Sequence, residues 1–205
     1  MLTAWVRLTC AVRAIAGPFR VTLTPRRAGR HLAWEAYAHM GMSVLIDAAN
    51  DQDAEQILKL QYLCFQGEAE LSGDYGIAPL TETLAEVRAE VRDTCVLVAR
   101  LGQEVVGSVR GTVDPDGTAH IGRLIVHPRM QRHGLGGRLL AAVEERLAAE
   151  RDAARYRLFA GQRVPGNLRL YRRLGYAPVA TEEVSRHLSM ITLEKEAPGP
   201  LAATA

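Results

Sequence analysis

Lysine is almost missing from this chain: Lys59 and Lys195 stand against 23 arginines among 205 residues. With abundant alanine and glycine, the skew is that of a GC-rich coding sequence. Cysteine is scarce as well. Cys10, Cys64 and Cys95 are scattered without metal-ligand spacing, so no metal site is expected, and such isolated cysteines suit a reducing compartment. No run of eighteen apolar residues occurs, so no membrane-spanning helix is expected. Arg7 and Arg13 interrupt the apolar N-terminal stretch and no clear cleavage pattern follows, so a cytoplasmic protein is expected rather than an exported one. A basic surplus is missing too, despite a formal net charge of +2. Residues 1–41 carry six arginines and one acid, Glu35, leaving 19 basic and 22 acidic side chains for the remainder, about −3. That balance gives no electrostatic footprint for nucleic acid.

What is present suits a single domain: 48% hydrophobic and 23% charged residues, enough chain for a sizeable core, and no internal repeats. Residues 1–41 lack periodicity and a strand begins just after Met42, so they read as a leader, disordered or not natively translated. The native product is then expected to start at Met40 or Met42. The domain spans 42–195. Residues 196–205, with Pro198, Pro200 and small side chains, read as a disordered tail.

Along the domain, Ser43–Ala48 reads as a strand, and Asn50 or Asp51 caps a helix with Ile57, Leu58, Leu60, Leu63 and Cys64 on its buried stripe. Residues 67–79 read as a loop rich in glycine and acids. A second helix is expected from Thr81, carrying Leu84, Val87 and Val91. Strands follow at 95–99, 105–113 and 118–126, joined by turns at Gly102-Gln103 and Asp114-Pro115-Asp116-Gly117. A helix with Leu135, Leu139, Leu140, Val143 and Leu147 on one face comes next. It is followed by a strand at 156–160, a helix at 167–174 and a final strand at 187–193. The class is α/β, with a mixed, mostly antiparallel sheet flanked by helices.

The segment from Leu124 to Leu140 is the most informative. An apolar strand runs into a polar turn, then Gly134 and Gly136, then the amphipathic helix. A helix N-terminus leaves its first N–H groups without internal partners and carries partial positive charge, so this junction suits a phosphorylated ligand. A Walker loop fails because no lysine follows the glycines. A dinucleotide fingerprint fails because Leu139 stands where a third glycine or alanine belongs. The spacing of Gln131, Gly134 and Gly136 fits Q/R-x-x-G-x-G/A. A second block about thirty residues on, Gly166-Asn167-Leu168-Arg169-Leu170-Tyr171 running to Gly175-Tyr176, completes the pattern. Over roughly residues 43–194 the chain resembles the GNAT superfamily of acyl-CoA-dependent N-acetyltransferases.

The resemblance implies that acetyl-CoA is the co-substrate and a small-molecule or peptide amine the acceptor. Homodimerisation is common in the family. It further implies that Gln131, Arg132, His133, Gly134, Leu135, Gly136, Gly137 and Arg138 surround the pyrophosphate. Backbone N–H groups around Leu124, Ile125 and Val126 would hold the thioester carbonyl, and Asn167 the pantetheine arm. Tyr171 falls where the family has the tyrosine that protonates the leaving thiolate; packing of helix on sheet is its alternative role, and helix capping is that of Asn167. An alkylamine has a pKa of about 10.4, so neutralising it at pH 7 costs roughly 4–5 kcal/mol, whereas a thiol near ~8.5 leaves more easily. A base therefore matters more than an acid. The family's fourth-strand glutamates are replaced by His120 and Gly122. His120 is one candidate base, or else a surface histidine beside a turn. Glu68, Asp74 and Tyr75 are candidates to bind a cationic acceptor or relay its proton. Two other readings stay open: a catalytically silent fold that senses acyl-CoA, and a nucleic-acid binder that uses the leader.

Overall fold

Short apolar runs and two capping boxes build most of the scaffold. The computed structural model describes residues 43–162, 165–185 and 188–198. The expected leader and alternative starts lie outside them. Seven strands form one sheet: β1 (Val44–Ala48), β2 (Cys95–Leu101), β3 (Glu104–Val113), β4 (Thr118–Val126), β5 (Arg155–Gly161), β6 (Ala177–Ser185) and β7 (Leu188–Glu196). Their spatial order is β1-β2-β3-β4-β5-β7-β6, antiparallel throughout except for the parallel β4–β5 pair. The helices are α1 (Ala54–Ser72), α2 (Ala78–Thr81), α3 (Leu84–Asp93), α4 (Leu135–Arg151) and α5 (Pro165–Arg173).

The expected stripe of α4 is fully interior. Leu135, Leu139, Leu140, Val143 and Leu147 pack with Val106, Val109, Ala119, Ile121 and Leu158 on one face of the sheet. On the other face Ile57 and Leu60 of α1 and Val87 of α3 pack against Val96, Val98, Val105 and Ile125. Each layer removes a row of aliphatic side chains from water, worth roughly 1.5–3 kcal/mol apiece.

Five expectations need correction. The loop expected from 67 is helical to Ser72, because the residues around Gly67 favour helix and Ala69 is fully buried. The next long helix starts at Leu84 rather than Thr81. Thr83 and Glu86 form a capping box there, Thr83 N–H donating to Glu86 at 2.7 Å and Glu86 N–H to the Thr83 hydroxyl at 3.3 Å. Leu63 is exposed, off the stripe that buries Ile57 and Leu60. Strand β6 was not anticipated: Ala177–Val184 expose their side chains on both faces and offer no alternation to read. The last strand is Leu188–Glu196, longer at its C-terminal end than expected, and Ala197 N–H still bonds the Ala154 carbonyl at 2.9 Å. The expected tail therefore overlaps ordered pairing at 196 and 197.

Candidate active site

Parallel pairing of β4 with β5 runs from Thr118↔Arg155 to Ile121↔Leu158 and stops. Both strands continue, so they part beyond Ile121 and open a cleft in the sheet. On the β3 side, the register passes from Arg110↔Gly122 to Ser108↔Ile125, which sets Arg123 and Leu124 opposite the single residue Val109. This is a β-bulge, and a bulge bends the strand that carries it. Arg123 sits at φ 51°, in the left-handed region. His127 N–H bonds the Val106 carbonyl at 2.9 Å, so by alternation the N–H groups of Val126 and Leu124 face the cleft. Ile125 instead buries its side chain under α1.

The glycine segment closes one end of this cleft. Arg132 (φ 64°) and Gly134 (φ 77°) are both left-handed, and no side chain caps the start of α4. The first N–H groups of α4 are thus left to a ligand, with the helix dipole behind them. Gln131 Nε2 donates to the Val126 carbonyl at 3.0 Å, tying the loop to the strand. Arg132 and His133 are exposed, whereas Leu135 is buried. Arg138 donates to the Val44 carbonyl at 3.1 Å, so its guanidinium anchors β1. Gly136 and Gly137 answer to packing: a Cβ at Gly136 would meet Leu170 at 3.5 Å and Val126 at 3.8 Å, and one at Gly137 would meet Leu170 at 3.8 Å.

Helix α5 buries Tyr171 in the core cluster on the α4 side of the sheet and leaves Asn167 exposed on its first turn. The Tyr171 ring is buried edge-on to Tyr176, centroids 6.1 Å apart. Burial, then the charge of Glu68, pushes its hydroxyl up to about 12. Glu68 lies seven residues after the fully buried Gln61, on the same face of α1. It is half-buried. Burial raises its carboxyl above the ordinary range, against the pull of the Arg123 charge. Glu68 thus lies within electrostatic reach of both Arg123 and Tyr171. His120 lies before the splay, paired with Arg157 on β5, and its Nε2 is 2.8 Å from Asp114. Asp74 accepts from Gly76 N–H at 2.8 Å in the turn after α1, and Tyr75 beside it is exposed. Cys64 lies on α1 with its thiol pushed up to about 11 by burial. Among the described residues no cluster of His, Cys, Asp and Glu suits a metal ion, and no helix is long and apolar enough to cross a membrane.

The family model of the acetyltransferase (GNAT) family matches residues 54–176, from the start of α1 to Tyr176. The chain belongs to the GNAT acetyltransferase family. Among solved structures, a GNAT-family acetyltransferase from Streptococcus pneumoniae superposes with a TM-score of 0.62 at 20% identity, over 76% of this chain and 100% of that one. The yncA protein of Salmonella typhimurium, solved with its cofactor acetyl-CoA, gives 0.63 at 18% identity, over 80% and 99%. The PaiA N-acetyltransferase of Thermoplasma acidophilum, solved with coenzyme A, gives 0.63 at 16% identity, over 76% and 99%. These likenesses show the GNAT fold. No functionally curated protein matches the chain in sequence.

In this GNAT domain the sequence reading overlooked a buried ionic cluster beside the splay. Glu82, between α2 and α3, accepts from Arg110 Nη1 and Nη2 at 3.1 and 3.0 Å, from Arg123 Nη2 at 2.9 Å and from Gln61 Nε2 at 2.7 Å. Gln61 also donates to the Pro79 carbonyl and accepts from Arg110. Burial alone would raise the Glu82 carboxyl. The hydrogen bonds and charge of Arg110, then the charge of Arg123 and the Gln61 amide, outweigh it and hold Glu82 below the usual carboxylate range. The available signal was Arg110 itself, a charged residue inside an otherwise buried strand.

Proposed function

We propose that the protein is an N-acetyltransferase that moves an acetyl group from acetyl-CoA to a primary amine by direct attack. The observation that carries this reading is the splay between β4 and β5 beside an uncapped helix N-terminus; the charge of Glu68 felt at Tyr171 supports it. The open N–H groups of α4 would hold the pyrophosphate, supported by Arg132 and His133. Leu124 and Val126 N–H groups would hold the thioester oxygen, and Asn167 stands where the pantetheine arm would pass. Acetyl-CoA supplies an activated acyl group with a thiolate to leave.

The residues of the chain then handle the protons. Glu68, raised by burial, takes one from the acceptor's ammonium, directly or through water, and fills the role for which His120 was the other candidate. Tyr171 keeps its proton at any physiological pH and donates it to the departing sulfur. Cys64 takes no part as a nucleophile, because partial burial raises its thiol, which donates to the Val126 carbonyl. The test is steady-state kinetics with acetyl-CoA and a panel of amines. Intersecting initial-rate lines and full activity in Cys64→Ala are expected; parallel lines, or loss of activity in that variant, would replace direct attack with an acyl-enzyme. Binding of acetyl-CoA with no turnover on any amine would favour the silent sensor.

A further inference from the structure

The acceptor wall of the cleft sets two guanidiniums, Arg110 and Arg123, on one carboxylate, Glu82, with Glu68 within electrostatic reach of Arg123. Glu82 receives four donors on its two oxygens: Arg110 and Arg123 on Oε1, Arg110 and Gln61 on Oε2. It is saturated. Arg110 is spent on it, through both terminal nitrogens, with its side chain only 8% exposed. Arg123 spends one nitrogen there, keeps 27% of its side chain exposed, and leaves its buried Nε without a protein partner. Among the described residues Glu82 is its ion-pair partner, so two guanidiniums share one carboxylate.

The placement of Arg123 is specific. Without the bulge, alternation would turn Arg123 toward α4, with Ile121; the left-handed residue turns it instead to the face of Gly122 and Glu82. Gly122 beside it is exposed and has open space where a Cβ would stand. Arg123 immediately precedes Leu124, whose N–H faces the cleft. A group that binds Arg123 is therefore held within one residue of the acyl-transfer point. Glu68, a half-buried carboxyl that feels the Arg123 charge, is the natural partner of an ammonium.

We infer that Arg123 binds a carboxylate of the acceptor, and that the acceptor is a free amino acid whose ammonium meets Glu68 while its carboxylate meets Arg123. A peptide N-terminus lacks the α-carboxylate, and a polyamine would bring further positive charge beside two guanidiniums. The inference rests on the acyl-CoA reading and deepens it. No chemistry beyond amide formation is added: Glu68 takes one proton of the ammonium, the amine nitrogen bonds the acyl carbon, the carbon–sulfur bond breaks, and the second nitrogen proton restores the one that Tyr171 gives to the departing thiolate.

The experiment uses the full chain and the twenty common amino acids, each paired with its primary amide and its decarboxylated amine. Turnover is read as kcat/KM. Binding is read separately by calorimetry with the N-acetyl amino acids and their amides in the presence of coenzyme A, which needs no catalysis. At least one free acid is expected to exceed its amide and its decarboxylated amine by tenfold or more. Arg123→Gln should raise KM for that acid about tenfold more than it raises KM for the matching amide, with coenzyme A affinity and melting temperature reporting any separate loss of the bulge. Arg123→Lys should recover part of the preference. Equal use of acid and amide, uniform loss across all acceptors in Arg123→Gln, or no binding of any carboxylate would overturn the inference. Loss of coenzyme A binding itself by the wild type would strike at the acyl-CoA reading instead.

Discussion

Arg123 reaches Glu82 at 2.9 Å from a backbone held at φ 51°, so one ion pair and one strained residue define each other. A left-handed non-glycine residue costs roughly 1–2 kcal/mol, and the contact with a buried carboxylate is what offsets it. Because Arg110 grips the same carboxylate from β3, Glu82 fastens the two strands on either side of the bulge.

Glu82→Ala should therefore unfold the site rather than tune it. It leaves Arg110 buried and unpaired, a loss of about 3–5 kcal/mol, read as a fall in the urea midpoint. The pH dependence has a definite sign. The folded carboxyl lies below its unfolded value, so its contribution is present above the ordinary carboxylate pKa, about 4.3, and is lost as pH falls through the folded value. Stability that is flat between pH 3 and pH 6 in both wild type and Glu82→Gln would contradict this.

Glu68→Gln separates chemistry from structure. A base must be ionised, so kcat/KM should rise with pH through the Glu68 carboxyl, with its midpoint above the ordinary carboxylate range. The variant should lose that limb and about 10²-fold or more in rate. Because burial raises the folded carboxyl, ionised Glu68 works against stability above that midpoint, and the variant should be as stable as the wild type or more so at pH 7. Retention of the acidic limb in Glu68→Gln would pass the role of base back to His120.

Tyr171→Phe keeps the buried ring against Tyr176 and deletes only the hydroxyl. Its kcat should fall about 10²-fold, with acetyl-CoA affinity and melting temperature little changed. With the hydroxyl at about 12, wild-type activity should show no downturn assignable to this residue below pH 10. An unchanged kcat would remove Tyr171 from the reaction and leave it as packing.

Gly134 and Gly136 should respond differently to alanine. Gly134 is left-handed with open space around its missing Cβ, so Gly134→Ala meets no clash but strains the helix start by roughly 1–2 kcal/mol and weakens acetyl-CoA binding. At Gly136 the new methyl would touch Leu170 and Val126 at ordinary contact distance. Gly136→Ala should bind and turn over nearly as the wild type does. Equal losses in isothermal titration would mean that ligand approach, not backbone conformation, governs both.

The fold was largely legible because its core elements announce themselves: aliphatic runs in β2 and β3, a clean stripe on α4, and turns at Gly102 and Gly117. The glycine segment and Tyr171 were legible as a family pattern. What escaped reading depends on geometry that local sequence does not encode. Strand β6 pairs on one edge only and buries no described side chain, so no period marks it. Glu68 looked like a loop acid because Gly67 precedes it, yet the helix runs through both. The meeting of Glu82, Arg110 and Arg123 joins residues up to 41 positions apart through a bulge, and a one-residue change of register would undo it.

The narrow joint between β4 and β5 has a consequence for cooperativity. Four register pairs hold these strands together, against seven between β5 and β7, so β1–β4 and β5–β7–β6 are sewn along a short seam that a donor would occupy at its open end. The apo protein should come apart first along that seam, with amide exchange in β5 outpacing exchange in β3. A bound donor touching both halves would act as the missing stitches and make the domain melt as one unit.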